Sequence, residues 1–535
     1  MTENTISQPN VTLQIISADI PVSNAPQRIL VVGQTTPVGT ATNSTASSNV
    51  VIPNIGNDGS ENTLFGPGSI LALMIRKIKQ VAPQVQVDAI PVADNGSVKS
   101  IYTVTLSGTA STAGTIELII GGRPDNVYTA SFASGAAASD VVDAIHAKAI
   151  ADVNCPFVVT KSGAVITATA RNAGTASNAY VVAAKLSNVS GTDLVMNCAV
   201  ARTTTGSGDP AIVAGDFTAI ADTRYQGVVG LHSWTAIRTL MEARFNTSNS
   251  VLDGVFFTGV STTSGTAITS LGSLNYKTSV YFVDENANIA NIDGMTQHSY
   301  MGPANQNAPH IVASWFAAVR SLRLTPGAVI SNYNTTRSSG DQFGGPSTAT
   351  LPYHNTNAPQ LSTTLDVPGV GFTDIEIEAI KAVGGSIIGT NRTGTNAIVG
   401  EVSTTFKTDP AGNPDPSFTF LNYVDTISNS REYFFNNYKK RFAQSRLTQG
   451  AMQQGRDMIN QIGFEAYTDR LYSEQTRSEL LLLQGGQVAV DYFKANRIVV
   501  LDMLTGTITI NMKVPIITQV RNIIGTVEIS FSTEG

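Results

Sequence analysis

The chain is short of charge. Of its 535 residues only 13% are Asp, Glu, Lys or Arg, about half the roughly 25% of an ordinary soluble domain. The net charge of −6 is small for that length. It offers no basic footprint for nucleic acid and no polybasic segment for a membrane, so neither partner is expected. Cysteine is nearly missing: Cys155 and Cys198 are the whole complement. Two thiols exclude a disulfide framework; a buried, free pair is the expectation, with one disulfide between them as the alternative. Long apolar runs are lacking too. The densest stretch, Leu480 to Leu483, stops at Gln484-Gly485-Gly486, far short of the ~20 residues of a membrane span. The opening MTENTISQPN has neither the basic nor the apolar region of a secretory signal, which points to synthesis in the cytoplasm.

The motifs of catalysis are also missing. There is no Gly-x-Ser-x-Gly elbow, no Gly-x-x-x-x-Gly-Lys-Ser/Thr phosphate loop and no Gly-x-Gly-x-x-Gly after a strand. His-Glu-x-x-His and paired Cys-x-x-Cys do not occur, so no catalytic residue, cofactor or metal is expected. The histidines are His146, His232, His298, His310 and His354, none paired at ligand spacing. His232 follows an expected strand and reads as a hydrogen-bonded residue at a strand end rather than a catalytic one. His310 opens an expected helix, where packing or capping is favoured. Asp284 with Glu285, and Asp409 with Asp415, are carboxylate pairs in name, but loop acids beside Pro and Gly usually form turns. Tyr433, Phe434, Phe435 and Tyr438, followed by Lys439, Lys440 and Arg441, read as a buried helix face with a basic C-terminal end that suits the helix dipole.

What the chain does have is 42% hydrophobic residues, enough for cores, in a length that suggests three or four domains. Charge depletion on that scale suits large interfaces better than a metabolic enzyme. Arg28–Gln34 reads as a buried strand. Ser69 caps a helix to Val81 whose Ile70, Met74, Ile78 and Val81 form one stripe, and Val85–Ile90 returns as a strand. This is an α/β unit. From Lys99 to Arg202 the text turns Gly-, Ala-, Ser- and Thr-rich and reads mainly as strands: Ile101–Leu106, Gly114–Ile120, Asn126–Phe132, Phe157–Thr160 and Ala164–Ala170. One helix, Ala137–Asp152, interrupts them. Helix and strand alternate again from Asp209: Ile212–Asp222 and Thr235–Phe245 as helices, Asp253–Val260 and Ser279–Asp284 as strands, Pro309–Leu322 as a helix. Thr373 and Glu376 make a capping box with Phe372 stapled to Ile377. Val424–Ala443 and Arg456–Leu483 read as longer helices, followed by a strand at Arg497–Leu501.

Both ends of the chain read as strands. Ile508, Ile510, Met512 and Val514 alternate with Thr507, Thr509, Asn511 and Lys513. Val527, Ile529 and Phe531 alternate with Thr526, Glu528 and Ser530. Near the start Val11, Leu13 and Ile15 alternate with Thr12 and Gln14, cut off by Pro21 and Pro26. Period two argues for strands with one covered face, and a strand's N–H and C=O groups need partners. Either the two C-terminal strands pair with each other, or the partner strand belongs to another copy.

In order, Arg28-Ile-Leu-Val-Val-Gly-Gln, Phe65-Gly-Pro-Gly-Ser-Ile-Leu-Ala-Leu-Met, Ala89-Ile-Pro-Val-Ala-Asp, Gly114-Thr-Ile-Glu-Leu-Ile-Ile-Gly-Gly-Arg, Thr169-Ala-Arg-Asn-Ala-Gly-Thr-Ala-Ser-Asn and Asp409-Pro-Ala-Gly-Asn-Pro-Asp-Pro-Ser resemble segments of the contractile tail sheath proteins of phages with Mu-like tails. The resemblance implies a discontinuous α/β core of subtilisin-like fold without its catalytic triad, an inserted β-rich outer domain, a C-terminal α+β domain and extended terminal arms. Set on this chain, those are an arm at 1–25, core at 26–97 and 206–400, the inserted domain at 98–205, the C-terminal domain at 401–514 and an arm strand at 515–535. It also implies arms that lend strands to adjacent subunits, here Val11–Ile16 and Thr526–Ser532. Pro21, Pro26, Asn522 and Gly525 would be the hinges. The implied partners are other copies of the chain in a helical sheath, a tail tube protein, and baseplate and tail terminator proteins, in a virion tail assembled in host cytoplasm. A phage-derived contractile injection particle, or a non-contractile surface or adhesin-type structural protein, is the alternative.

Overall fold

The computed structural model describes residues 27–36, 49–94, 98–122, 124–188, 195–247, 251–289, 297–324, 371–390, 396–399, 402–442, 445–451, 457–476 and 483–517. Two compact units form, one of residues 25–428 and one that contains the described residues from 429 onward. Both mix helix and strand.

In the larger unit, Arg28–Gln34 is a strand with Ile29 to Val32 fully buried. Neighbouring side chains on a strand point to opposite faces, so burial of every residue in that run requires cover on both sides. The parallel core follows the order Gln86–Val92, Arg28–Gln34, Gly227–Val229, Val255–Thr262, Ser279–Ile289, Gly385–Thr390. Helix Ile70–Val81 begins where the Ser69 hydroxyl accepts from the Ala72 N–H. It packs on the longer helix Pro309–Leu324, which lies against the Val255–Thr262 strand.

The strand Ser279–Ile289 serves two neighbourhoods. Its first half pairs in parallel, and Asn286 to Ile289 pair antiparallel with His298–Pro303. From there the sheet continues antiparallel through Val182–Asn188, Gly114–Ile120 and Val127–Phe132. A separate four-stranded sheet takes Phe157–Ser162, Val165–Ala170, Ile101–Ser107 and Asn197–Thr204 in that order, with helix Ala138–Ala151 packed against it. The stretch 98–205 therefore contributes strands to a sheet of its own and to the sheet of the α/β core. Cys155 and Cys198 are buried and free, and burial pushes their thiols up to about 11 and about 12.

Some expected elements change. Ile212–Asp222 is not an α-helix; a 3-10 helix spans Ala214–Ile220, started by the Asp216 carboxylate accepting from the Val213 N–H. The single helix expected over Arg456–Leu483 is shorter, Gln461–Gln475. The Asn460 side chain accepts from the Gly463 N–H at 2.8 Å and fixes the start there, while Met458–Ile459 pairs with Arg446–Leu447 instead.

The boundary between the units falls within helix Leu421–Phe442. In the smaller unit Tyr433, Phe434, Leu471, Tyr472, Leu483 and Phe493 form one apolar cluster, with the Tyr472 and Phe493 rings stacked 4.2 Å apart. Lys439 and Lys440 are exposed at the helix end. The aromatic and basic stretch is thus a core face with a solvated tip.

Candidate functional site

The smaller unit carries a two-stranded sheet of Arg497–Asp502 and Thr507–Met512, with no further strand paired to either edge among the described residues. The strand at Thr507 thus has its partner in the segment just before it, and sequence reasoning missed that pairing. The turn explains it. Asp502 accepts from the Leu504 N–H at 2.9 Å and from the Thr505 hydroxyl at 2.7 Å, which holds its carboxyl below the usual range. Gly506 then takes φ +69°, a left-handed angle that costs glycine little. Asp502 and Gly506 were the available signal.

One face of this hairpin is anchored. Val499 is buried, and Ile508 and Ile510 pack with it against Ile459, Phe464 and Phe442. Arg497 sits between Glu465 at 3.2 Å and Asp469 at 2.5 Å on helix Gln461–Gln475. The other face is open: Ile498 is 63% exposed, Val500 55%, and Leu504 at the tip 96%. Each outer edge of a six-residue strand leaves about three N–H and three C=O groups for another strand or for water. An exposed apolar face beside two edges with no partner strand among the described residues is a place where a further strand fits.

The strands expected to be donated, at Val11, Leu13 and Ile15 and at Thr526, Val527, Glu528, Ile529, Ser530 and Phe531, lie outside the described residues, as do the expected hinges Pro21, Pro26, Asn522 and Gly525.

The residues weighed for chemistry have structural places. Asp409 accepts from the Ala411 and Asn413 N–H groups, and Asp415 from the Ser417 N–H; both shape turns. His146 lies 3.4 Å from the Val159 carbonyl, and His298 stands opposite Lys185 in the antiparallel ladder; His354 lies outside the described residues. His232 and His310 do come together, lining a cavity of about 380 Å³ with Arg202 and Ser261 at the ends of the parallel strands. His232 packs edge-on against Tyr281, and burial lowers its pKa. His310 packs edge-on against Tyr180 and lies 3.3 Å from its hydroxyl. Among the described residues no group of His, Cys, Asp or Glu is arranged to hold a metal, and no helix is long and apolar enough to cross a membrane.

Two buried groups give the fold a testable pH response. Burial pushes the Asp284 carboxyl up to about 7, although it accepts from the Asn305 N–H at 3.0 Å. Burial pushes the His310 imidazole down to about 3. Between about pH 4 and 7 the folded chain keeps a proton on Asp284 that the unfolded chain has lost, so this group makes stability fall as pH rises. Between about pH 3 and 6.5 the unfolded chain protonates His310 while the folded chain does not, so this group makes stability rise with pH. The slopes oppose each other. Relative to the parent chain, the slope of the unfolding midpoint between about pH 4.5 and 6.5 should turn downward in His310→Phe and upward in Asp284→Asn. Thermal melts across that range decide; parallel profiles for the two variants would contradict both assignments.

No protein-family model matches the chain. Among curated proteins, the Mu-like prophage FluMu tail sheath protein of Haemophilus influenzae is 35% identical over 117 residues. Part of this chain is similar to a phage tail sheath protein. The match covers 22% of this chain and spans 23% of the relative's length. Among solved structures, a sheath tail protein from Listeria innocua aligns over 93% of both chains at a TM-score of 0.41 and 10% identity. A chain of the anti-feeding prophage baseplate aligns over 61% of this chain and 76% of its own, at a TM-score of 0.36 and 8% identity.

Proposed function

We propose that this chain is the structural subunit of a contractile phage tail sheath, built into the virion tail, and not an enzyme. The observation that carries the reading is the 35% identity to a tail sheath protein over 117 residues. The open-edged hairpin of Arg497–Asp502 and Thr507–Met512 supports it, because a subunit that joins its neighbours by strand exchange needs an acceptor as well as arms. In this reading the larger unit is the sheath's α/β core with its outer insertion, and the smaller unit is the linking domain. The arm strands at Val11–Ile16 and Thr526–Ser532 of adjacent copies add to the edges of the hairpin, covering Ile498 and Val500.

Copies joined head to tail through contacts that do not close make a helical filament. Here that filament surrounds a tail tube and ends on baseplate and terminator proteins. A donated strand making about five or six bonds at roughly 0.5–1.5 kcal/mol each holds a link by several kcal/mol. Turning at Pro21, Pro26, Asn522 and Gly525, the links stay paired while the rigid bodies close up. The gain in buried area between those bodies drives contraction and pushes the tube through the host envelope. With only 13% charged residues, the new contacts desolvate little charge. No nucleotide or cofactor is involved. Negative-stain electron microscopy of the purified chain is expected to find wide hollow tubes. Particles that stay single, or form flat lattices at every concentration, would overturn the reading.

A further inference from the structure

Residues 402–421 fold back on themselves. Thr404 donates its N–H to the Thr419 carbonyl at 2.8 Å, Asp415 to Lys407 at 2.9 Å and Leu421 to Val402 at 3.1 Å, around a turn at Asp409–Asn413. This irregular hairpin leads into helix Leu421–Phe442. Its two ends, Val402 and Leu421, are fully buried in the main apolar core; the seam between those anchors is largely polar. Ser403, Thr404 and Thr405 are buried. The Ser403 N–H donates to the Ser386 hydroxyl at 3.0 Å, and the Thr405 N–H to the Ser279 carbonyl at 3.1 Å. The Asn275 side chain grips the hairpin from the loop before Ser279, accepting from the Lys407 N–H at 2.7 Å and donating to the Thr408 carbonyl at 2.8 Å. Water can replace such bonds, so this seam resists opening less than an apolar one of equal area.

Two cations sit on the seam: the Lys407 ammonium donates to the Leu271 and Gly272 carbonyls at 3.0 Å, and Lys277 lies at the centre. The Lys277 ammonium lies 5.0 Å from the Phe418 ring centroid, 5.6 Å from Phe406 and 5.9 Å from Phe245. Phe418 meets both other rings edge-on at 5.6 Å. Two rings belong to the hairpin and one to helix Thr235–Asn246. The Lys277 backbone is pinned as well, its N–H donating to Glu242 at 3.0 Å.

We propose that residues 403–420, between the core-anchored Val402 and Leu421, are a strap that opens and closes as one piece, and that Lys277 in its cage of three phenyl rings is the lock. Opening detaches the strap from Ser279, Ser386, Asn275 and the Leu271 and Gly272 carbonyls and leaves the parallel strands shut, so the lead into helix Leu421–Phe442 has a stability of its own, below that of the core. Lys277 acts as a positioning residue, through the rings it attracts. The inference does not depend on the sheath reading, because it concerns the motion of a single chain.

Hydrogen exchange on the intact, unassembled chain tests it. In Lys277→Met, which keeps the apolar stem and removes the charge, amides of 403–415 should exchange about tenfold faster, and those of Arg28–Gln34 and Val255–Thr262 at the original rate. Lys277→Arg should restore slow exchange. Phe418→Leu, which removes one ring from the strap side, should match Lys277→Met. An even acceleration across the larger unit would reduce Lys277 to a general stabiliser and end the proposal. Unchanged strap amides in both Lys277→Met and Phe418→Leu would end it too.

Discussion

Deletion of Ile524–Gly535 should leave a folded, soluble chain that no longer makes tubes. The segment removed holds Thr526, Val527, Glu528, Ile529, Ser530 and Phe531, the strand proposed to pair with the hairpin of a neighbour. Its loss takes away about five backbone bonds at roughly 1 kcal/mol each, together with the cover over Ile498 and Val500. At 1.4 kcal/mol per tenfold, a loss of about 5 kcal/mol raises the concentration needed for assembly by between about three and four orders of magnitude. Folding should be spared, because Val499, Ile508 and Ile510 already have their cluster with Ile459 and Phe464 inside the chain. Sedimentation and electron microscopy read the assembly, and a thermal melt reads the fold. Normal tubes from the truncated chain would remove strand donation by this arm from the account. An unaltered melt with no tubes is the expected pattern.

The local rules were legible in the sequence wherever one residue settles an element's boundary. Ser69 caps its helix as expected, and Thr373 and Glu376 close a capping box, with the Glu376 carboxylate accepting from the Thr373 N–H at 2.9 Å. The unbroken apolar run of Arg28–Gln34 marked a strand covered on both faces. Other elements gave weaker signals. His298–Pro303 is almost wholly buried, yet it holds Gly and Pro, both depleted in strands. Helix Ser264–Gly272 is rich in Gly, Thr and Ser, all poor helix formers. It holds by the Thr263 cap and by burying Ala267 and Leu271. Asn197–Thr204 did carry a usable pattern, with Cys198 and Val200 buried between exposed Asn197, Ala199 and Ala201.

The candidate site was half legible. Alternation at Thr507–Met512 announced a strand, but the partner that a strand finds depends on the turn chemistry of Asp502 and Gly506, which period-two counting ignores. The lock at Lys277 was invisible for another reason. Phe245, Lys277, Phe406 and Phe418 are scattered over more than 170 positions, and only the fold of the larger unit brings them together. Residues that meet through tertiary structure leave no spacing to read.

Arg320→Met is the substitution expected to cost the larger unit most. Arg320 is 3% exposed on helix Pro309–Leu324, and it holds the equally buried Asp425 by two nitrogens, Nε at 3.0 Å and a terminal nitrogen at 2.5 Å. Its other terminal nitrogen donates to the Gln226 carbonyl at 2.7 Å, just ahead of strand Gly227–Val229. The guanidinium also lies 5.6 Å from the Phe257 ring centroid. One side chain thereby ties the first turns of helix Leu421–Phe442 to the parallel core. Methionine fills much of the volume but takes the guanidinium away from the buried Asp425 carboxylate, and breaking a buried pair by removing one member costs about 3–5 kcal/mol. The double variant Arg320→Met, Asp425→Leu, which removes both charges, should recover the larger part. Urea titrations of the two variants separate the explanations. If the single variant is no less stable than the double one, the pair is mere packing. If the single variant alone collapses, the cost lies in breaking the pair by halves, and an apolar pair can stand in for the ionic one at this joint.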